Sequence, residues 1–343
     1  MKVTKNVPLP QLTTMRLGGN ADYLITIEED KDLPEAYRFA RSQKLPVYIL
    51  GSGSNVIGRD KGFRGVVLKS ALRGISIYGT NKDGARITAR SGELFDDLVA
   101  YSVEMWNGED YGYSGIEAMS AIPGTVGAAP VQNIGAYGQE MQDTMYLVTV
   151  YDTQKDLFLT LTRKDMKLGY RRSIFNYGKD VGRYFVTAMT VDLRKTWLKG
   201  PFYTSLQKYI LEHQIKQFSP KNIRDAVCTI RASKLPDPQK IASSGSFFKN
   251  LYLSEAEAAA AKKRGIEVWP GGVVNTGWLI EQAGLKGKLI SGMRVSDQSA
   301  LVLINESAKT YADLAKARQT IVDAVFAKFQ LKITQEPMEL GEN

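Results

Sequence analysis

The sequence predicts an α+β fold, and three observations lead there. Apolar, β-branched runs of strand length outnumber helical patterns over about the first 200 residues, helical patterns dominate afterwards, and strands and helices never settle into the strict alternation of a βαβ chain. The chain has 343 residues, enough for two or three domains at about 100–200 residues each. Apolar residues make up 43% and aromatic residues 10%, the composition of a folded chain rather than a disordered one. With 45 Lys and Arg against 36 Asp and Glu, the formal charge is +9. That excess is spread along the chain, which favours nucleotides and sugar phosphates over nucleic acid as partners. One cysteine, Cys228, excludes a disulfide framework, and one histidine, His213, excludes a multi-His metal centre, so no metal site is expected. No run has signal-peptide character or approaches the ~18 apolar residues of a membrane span. A soluble, cytoplasmic chain is expected.

In order along the chain, an amphipathic helix is expected near 31–43 and a strand at 46–50. A glycine turn follows at 51–55, then a strand near 65–68. Further strands fall at 74–78 and 86–90, a helix at 94–107, and strands at 146–152, 156–162 and 184–193. Beyond about residue 200 come helices near 203–213, 219–232, 254–264 and 276–283, a strand at 300–305 and a long helix at 309–328. Leu314, Ala317, Ile321 and Val325 mark the buried face of that last helix, and a final strand is expected over 331–340.

Two glycine-rich segments carry the first chemical signal. Gly51-Ser52-Gly53-Ser54-Asn55 follows an apolar strand, yet Val56 fills the third small-residue slot and the next segment is polar loop. A Rossmann dinucleotide fingerprint therefore fails on context. What remains is a tight turn, or a turn whose backbone N–H groups cradle phosphate. The segment 122–138 holds Gly124, Thr125, Gly127, Ala128, Ile134, Gly135, Tyr137 and Gly138. So many missing side chains let backbone approach a flat or charged ligand, although a buried structural crossing reads equally well. Arg171 and Arg172 stand among aromatic residues in GYRRSIF, as a solvated pair or as a planar fork over a ring or carboxylate. Arg231 and Lys234 close a helical pattern before KLPDP, where a lysine also suits a helix C-terminus. Ser246 in GSFFKN has no histidine base nearby, which argues against a serine hydrolase. Glu336 and Glu339 would face opposite sides of a regular last strand, so only one of them could reach a site. His213 reads as a surface residue.

Taken together, TTMRLGG at 13–19, ILGSGSNV at 49–56, IPGTVGAAPVQNIGAYG at 122–138, GYRRSIF, KLPDP, GSFFKN, GWLIEQAGLKG at 277–287 and the closing EP resemble the UDP-N-acetylenolpyruvoylglucosamine reductase family end to end. The resemblance implies an FAD-binding part of the vanillyl-alcohol-oxidase type, made of two α+β subdomains, with an inserted α+β substrate-binding domain. Residues 1–70, completed by 330–343, would form the first subdomain, 71–218 the second, and 219–329 the substrate domain. It implies NADPH as reductant and UDP-N-acetylglucosamine enolpyruvate as substrate, sharing one cleft of a monomer. Gly51, Ser52, Gly53, Ser54, Asn55, Gly124, Thr125, Gly127, Ala128, Ile134, Gly135 and Arg231 would hold FAD. Arg171 and Glu336 would stabilise negative charge on the substrate, and Ser246 would donate a proton. Tyr137, Arg171, Tyr203, Lys234 and Asn250 would bind substrate, with Tyr203 on the closing loop of the type I form. In QEPMELGEN the spacing to Leu340 and Gly341 selects Glu336, and a slip would select Glu339. Two other readings are a different non-covalent FAD oxidoreductase on the same scaffold, His213 lying outside the flavin loops, and a UDP-sugar-binding protein.

Overall fold

A computed structural model describes residues 1–105 and 112–341. The chain divides into two compact units. Met1–Asn6, Asp22–Ser52 and Gly65–Ala232 form the first; Val7–Ala21, Gly53–Arg64 and Ser233–Asn343 form the second.

Two sheets build the first unit. The strands Lys2–Pro8, Asn20–Ile27, Phe63–Ser70 and Val47–Leu50 lie side by side in that order, with Val47–Leu50 parallel to Phe63–Ser70. Helix Asp32–Ser42 packs on this sheet through Leu33, Ala36, Tyr37 and Ala40, spaced as one helical face requires. Its first residue ties down the preceding turn, the Asp32 carboxylate accepting from the N–H groups of Glu28 and Glu29 at 3.0 Å each. The second sheet is antiparallel, ordered Leu157–Thr162, Met145–Asp152, Tyr184–Arg194, Gly84–Arg90, Ile75–Thr80. Its central strand is buried without a break from Phe185 to Val191 because both of its faces are covered. Phe185 joins the core of the first sheet, while Val186, Met189 and Val191 pack with Phe95, Leu98 and Val99 of helix Phe95–Glu104. Helices Thr204–Glu212 and Pro220–Lys234 share a separate cluster of Leu206, Ile210, Ile223 and Val227.

In the second unit, a sheet of Ser243–Ser246, Val302–Asn305, Met293–Val295 and Leu289–Ile290 supports helix Tyr311–Phe329. Leu314, Ala317, Ile321 and Val325 are at most 1% exposed, as their spacing requires. Thr310 and Asp313 cap that helix reciprocally, and Gln330 ends it in the left-handed region at φ 53°. Strand Met338–Leu340 then runs parallel to Val56–Gly58.

Several elements differ from what the sequence predicts. The last strand covers only Met338–Leu340, so Glu336 lies in the segment before it; Pro337 has no N–H to give a ladder. Strand Lys2–Pro8 went unread because its first five residues are exposed and carry no alternation. The final two residues of the helix expected at 94–107 lie outside the described residues. Helix Pro220–Lys234 clusters with Ala118 and with helix Thr204–Glu212, and residues 53–64 group with the C-terminal part.

Asp152 ends the second strand of the antiparallel sheet fully buried. Its carboxylate accepts from Arg183 at 3.0 and 2.6 Å and from the N–H groups of Gln154 and Lys155 at 3.0 and 3.3 Å. The Arg183 guanidinium above all, with those two N–H donors, outweighs burial and holds the carboxyl below the usual carboxylate range. A carboxyl depressed on folding contributes stability above its unfolded value, near pH 4, and loses it as pH falls through the folded value. Asp152→Asn should therefore lower Tm at neutral pH and flatten the loss of Tm on acidification, measured by thermal melts from pH 7 to about pH 3. An acid limb as steep as that of the wild type would count against this role.

Candidate active site

The first unit brings the two glycine-rich segments against each other. A Cβ at Gly51 would stand 2.9 Å from the Cβ of Ala128 and 3.0 Å from Oγ1 of Thr125. One at Gly127 would stand 2.7 Å from the Cβ of Ser91. These glycines are thus required by close approach of chain to chain. The loop is fastened from behind: Phe95 donates to the Gly124 carbonyl, while Val126 and Gly127 donate to the carbonyls of Glu93 and Ser91. Ala128 and Ile134 donate to the carbonyls of Thr125 and Ala129. The amides of Gly127, Ala128 and Ile134 are therefore consumed within the protein, and these residues shape the loop rather than donate from it.

The turn at 51–55 is also bonded to the protein. The Gly53 and Asn55 carbonyls accept from the N–H groups of Thr14 and Met338 at 3.1 and 3.0 Å, so the turn spends its acceptors on the protein. Gly53 has φ +75°, and a Cβ there would stand 1.9 Å from the Leu12 carbonyl oxygen. Hydroxyl and amide side chains of Ser52, Ser54 and Asn55 complete a donor-rich segment. In its chemistry this donor set fits the diphosphate of FAD.

Beside the glycine loop lies a half-buried cation. Arg231, on helix Pro220–Lys234, donates from Nε to the Ala121 carbonyl at 3.3 Å. No carboxylate among the described residues forms an ion pair with it, and burial pushes its guanidinium value down, against the pull of Tyr137. Ala121, at φ +57°, is held in turn by its N–H donating to Asp96 at 2.6 Å, and Asp96 takes both arms of Arg224 at 2.5 and 2.9 Å. Nothing in the sequence signals this Asp96–Arg224 pair, whose members lie 128 positions apart. Tyr137, at φ +49°, meets Tyr203 edge to face with ring centres 5.8 Å apart. Burial, opposed by Arg231, raises the Tyr137 hydroxyl value.

Arg171 sits in the same unit, on a turn docked to the glycine loop. Asn133 donates to the Gly169 carbonyl at 3.1 Å and Ser173 donates to the Val131 carbonyl at 2.6 Å. Arg171 adopts φ +52°, and its carbonyl accepts from Asn176 at 3.1 Å. Arg172 is spent differently, stacked 3.6 Å from the centre of the Tyr177 ring. His213 stacks on Tyr209 at 3.8 Å and is exposed, a surface residue as expected.

The second unit gathers Ser246, Asn250 and Glu336. Strand Ser243–Ser246 bulges at Gly245, φ +67°, which turns Ser246 to a half-buried position. The Ser246 hydroxyl has no hydrogen-bond partner among the described residues. Thr14 ties this strand to the 51–55 turn: its hydroxyl donates to the Ser243 carbonyl at 2.6 Å and its N–H to Gly53. Buried Ser243 and Ser244 hydroxyls also lack a partner among the described residues. Glu336 donates its N–H to the Phe247 carbonyl at 2.9 Å, directly after Ser246 in sequence. The Asn250 side-chain oxygen accepts from the Thr276 N–H at 3.1 Å. Lys234 is exposed at the end of its helix, and Arg16 pins the following loop through the carbonyls of Pro238 and Gln239 at 3.3 and 2.6 Å.

Glu339 is not an open carboxylate. It accepts from Tyr311 at 2.7 Å, Arg318 at 2.7 Å, Gln335 at 3.2 Å and Arg59. Burial works against its charge, but these donors outweigh it and hold the carboxyl below the usual range. Of the two candidates, Glu339 is committed to the scaffold.

Comparison with known proteins follows the same division. Residues 21–154 match the family described as FAD binding domain, and residues 237–339 match the C-terminal domain of UDP-N-acetylenolpyruvoylglucosamine reductase. A UDP-N-acetylenolpyruvoylglucosamine reductase of Ralstonia nicotianae is 36% identical over 341 residues, covering 96% of this chain and 97% of that one. Its counterpart in Neisseria meningitidis serogroup A is 35% identical over 96% of this chain and 95% of that one, and in Xanthomonas campestris 33% identical over 99% and 97%. The crystal structure of the Thermus caldophilus reductase shares the fold, with a TM-score of 0.67, 23% identity and 99% coverage of both chains. At such identity along nearly its whole length, the chain belongs to the UDP-N-acetylenolpyruvoylglucosamine reductase family.

Proposed function

We propose that this protein uses NADPH to reduce the enolpyruvyl group of UDP-N-acetylglucosamine enolpyruvate to the lactyl ether of UDP-N-acetylmuramate, a step of peptidoglycan synthesis. The observation that carries the reading is the 36% identity to a named reductase across 96% of the chain. FAD, when bound, would supply the two-electron hydride chemistry that links NADPH to the vinyl ether. The remaining work falls to side chains.

The 51–55 turn holds the diphosphate through N–H and hydroxyl donors, and Arg231 adds positive charge. Gly124, Thr125, Gly127, Ala128, Ile134 and Gly135 give the cofactor a close-fitting wall. Hydride addition leaves negative charge on the α-carbon and its carboxylate, and Arg171 stabilises that charge by placing a fixed cation where it develops. Glu336 assists only as an acid or through a shared proton, since a second carboxylate would otherwise repel it. Ser246 delivers the proton to the α-carbon, which suits a hydroxyl with no competing partner among the described residues. Tyr137, Tyr203, Lys234 and Asn250 hold sugar, carboxylate and diphosphate groups. NADPH and the sugar nucleotide take turns in one cleft of a cytoplasmic monomer. Among the described residues no helix is long and apolar enough to cross a membrane.

The test is a pair of half-reactions followed by flavin absorbance. Ser246→Ala should be bleached by NADPH within about twofold of the wild-type rate, while reoxidation by the enolpyruvyl sugar nucleotide slows about 10²–10⁴-fold. Equal losses in both halves would remove Ser246 from the proton-donor role. For Tyr203→Phe, substrate affinity should fall about fivefold with little change in the maximal reoxidation rate, the worth of one hydrogen bond. Unchanged affinity would remove Tyr203 from substrate binding.

A further inference from the structure

Glu336 lies on an irregular segment between helix Tyr311–Phe329 and strand Met338–Leu340, the type of backbone that is ordinarily mobile. Three backbone bonds hold it: Lys249 N–H to the Thr334 carbonyl at 2.9 Å, Glu336 N–H to Phe247 at 2.9 Å, and Met338 N–H to Asn55 at 3.0 Å. A side-chain clamp encloses the same residue. The Gln335 amide donates to the Pro337 carbonyl at 2.7 Å, so the two neighbours of Glu336 are bonded to each other across it. The oxygen of that amide accepts from Arg318 at 2.7 Å, and its nitrogen also reaches Glu339 at 3.2 Å. Arg318 donates to Glu339 at 2.7 Å from the same Nη1, and Tyr311 and Arg59 complete the carboxylate's shell.

We propose that Gln335, fixed by Arg318 and Glu339, is a positioning residue that sets the Glu336 side chain for the oxidative half-reaction. The proposal rests on the reading of Glu336 given above. Rigid placement matters because a displacement of about 1 Å at a reacting group costs on the order of 100-fold in rate. Glu339 serves as anchor: its oxygens take four donors, two of them from guanidinium groups, and the amide of Gln335 is oriented between Arg318 and the Pro337 carbonyl. Only an amide both donates and accepts there; a carboxylate satisfies Arg318 but has no proton for Pro337.

The experiment compares Gln335→Ala, Gln335→Glu and Glu336→Gln in the full-length, FAD-loaded protein by stopped-flow absorbance across pH. For Gln335→Ala we expect bleaching by NADPH within about threefold of wild type, reoxidation by the enolpyruvyl sugar nucleotide slower by about 10–100-fold, and a displaced pH profile for reoxidation alone. Gln335→Glu, which alters a single group and preserves the shape, should show the same split. A purely structural role would slow both halves alike or only lower Tm, and either result overturns the proposal. Normal reoxidation in both Gln335 variants overturns it too. Should Glu336→Gln reoxidise normally, the assignment of Glu336 itself falls; should it slow while both Gln335 variants do not, only the positioning claim falls.

Discussion

Everything in the candidate cofactor site depends on a steric constraint: the end of strand Val47–Leu50 and the loop around Gly124–Ala128 lie so close that position 51 has no room for a side chain. The two segments are more than 70 residues apart in sequence, and only glycine lets them share the same space. Once they abut, the antiparallel sheet and helix Phe95–Glu104 fix the loop through the carbonyls of Ser91 and Glu93. The amides of Val126 and Gly127 are used up in that fastening, and those of Ala128 and Ile134 bond within the loop.

The second constraint is conformational. Ala121, Asn133, Tyr137 and Arg171 all sit in the left-handed region, at φ between 44° and 57°. Each such residue costs about 1 kcal/mol or more and persists only when its surroundings over-determine it. Here the surroundings are visible: Asp96 holds Ala121, Gln142 and Gly169 hold Asn133, and Asn176 holds Arg171. Two of the four, Tyr137 and Arg171, are candidate binding residues, and the other two stand in the loop and turn that support them.

Much of this was legible in the sequence. The alternation and apolar runs marked the antiparallel sheet, and Leu314, Ala317, Ile321 and Val325 marked the face of the last helix. The glycine segments announced a close approach, though not that they approach each other. What could not be read depended on long-range partners. Asp96 and Arg224 look like ordinary surface charges until folding joins them, and Glu339 matched Glu336 as a candidate until Arg59, Arg318 and Tyr311 proved to enclose it. Pro337, which has no N–H for a ladder, is a local signal against a continuous last strand. A helix that closes a pattern, Pro220–Lys234, likewise gave no sign that its apolar face belongs with Ala118 in the first unit.

The central claim, that bare glycine backbone shapes the flavin site without a covalent bond, is tested most directly by the colour of one variant. Wild-type protein and Gly51→Val, each verified as folded by circular dichroism, are mixed with excess FAD, passed through gel filtration and scanned near 450 nm. The account predicts that the wild type emerges yellow with stoichiometric FAD, released intact on denaturation, while Gly51→Val emerges nearly colourless. Equal retention by both proteins, or a wild type that holds no flavin, would contradict it.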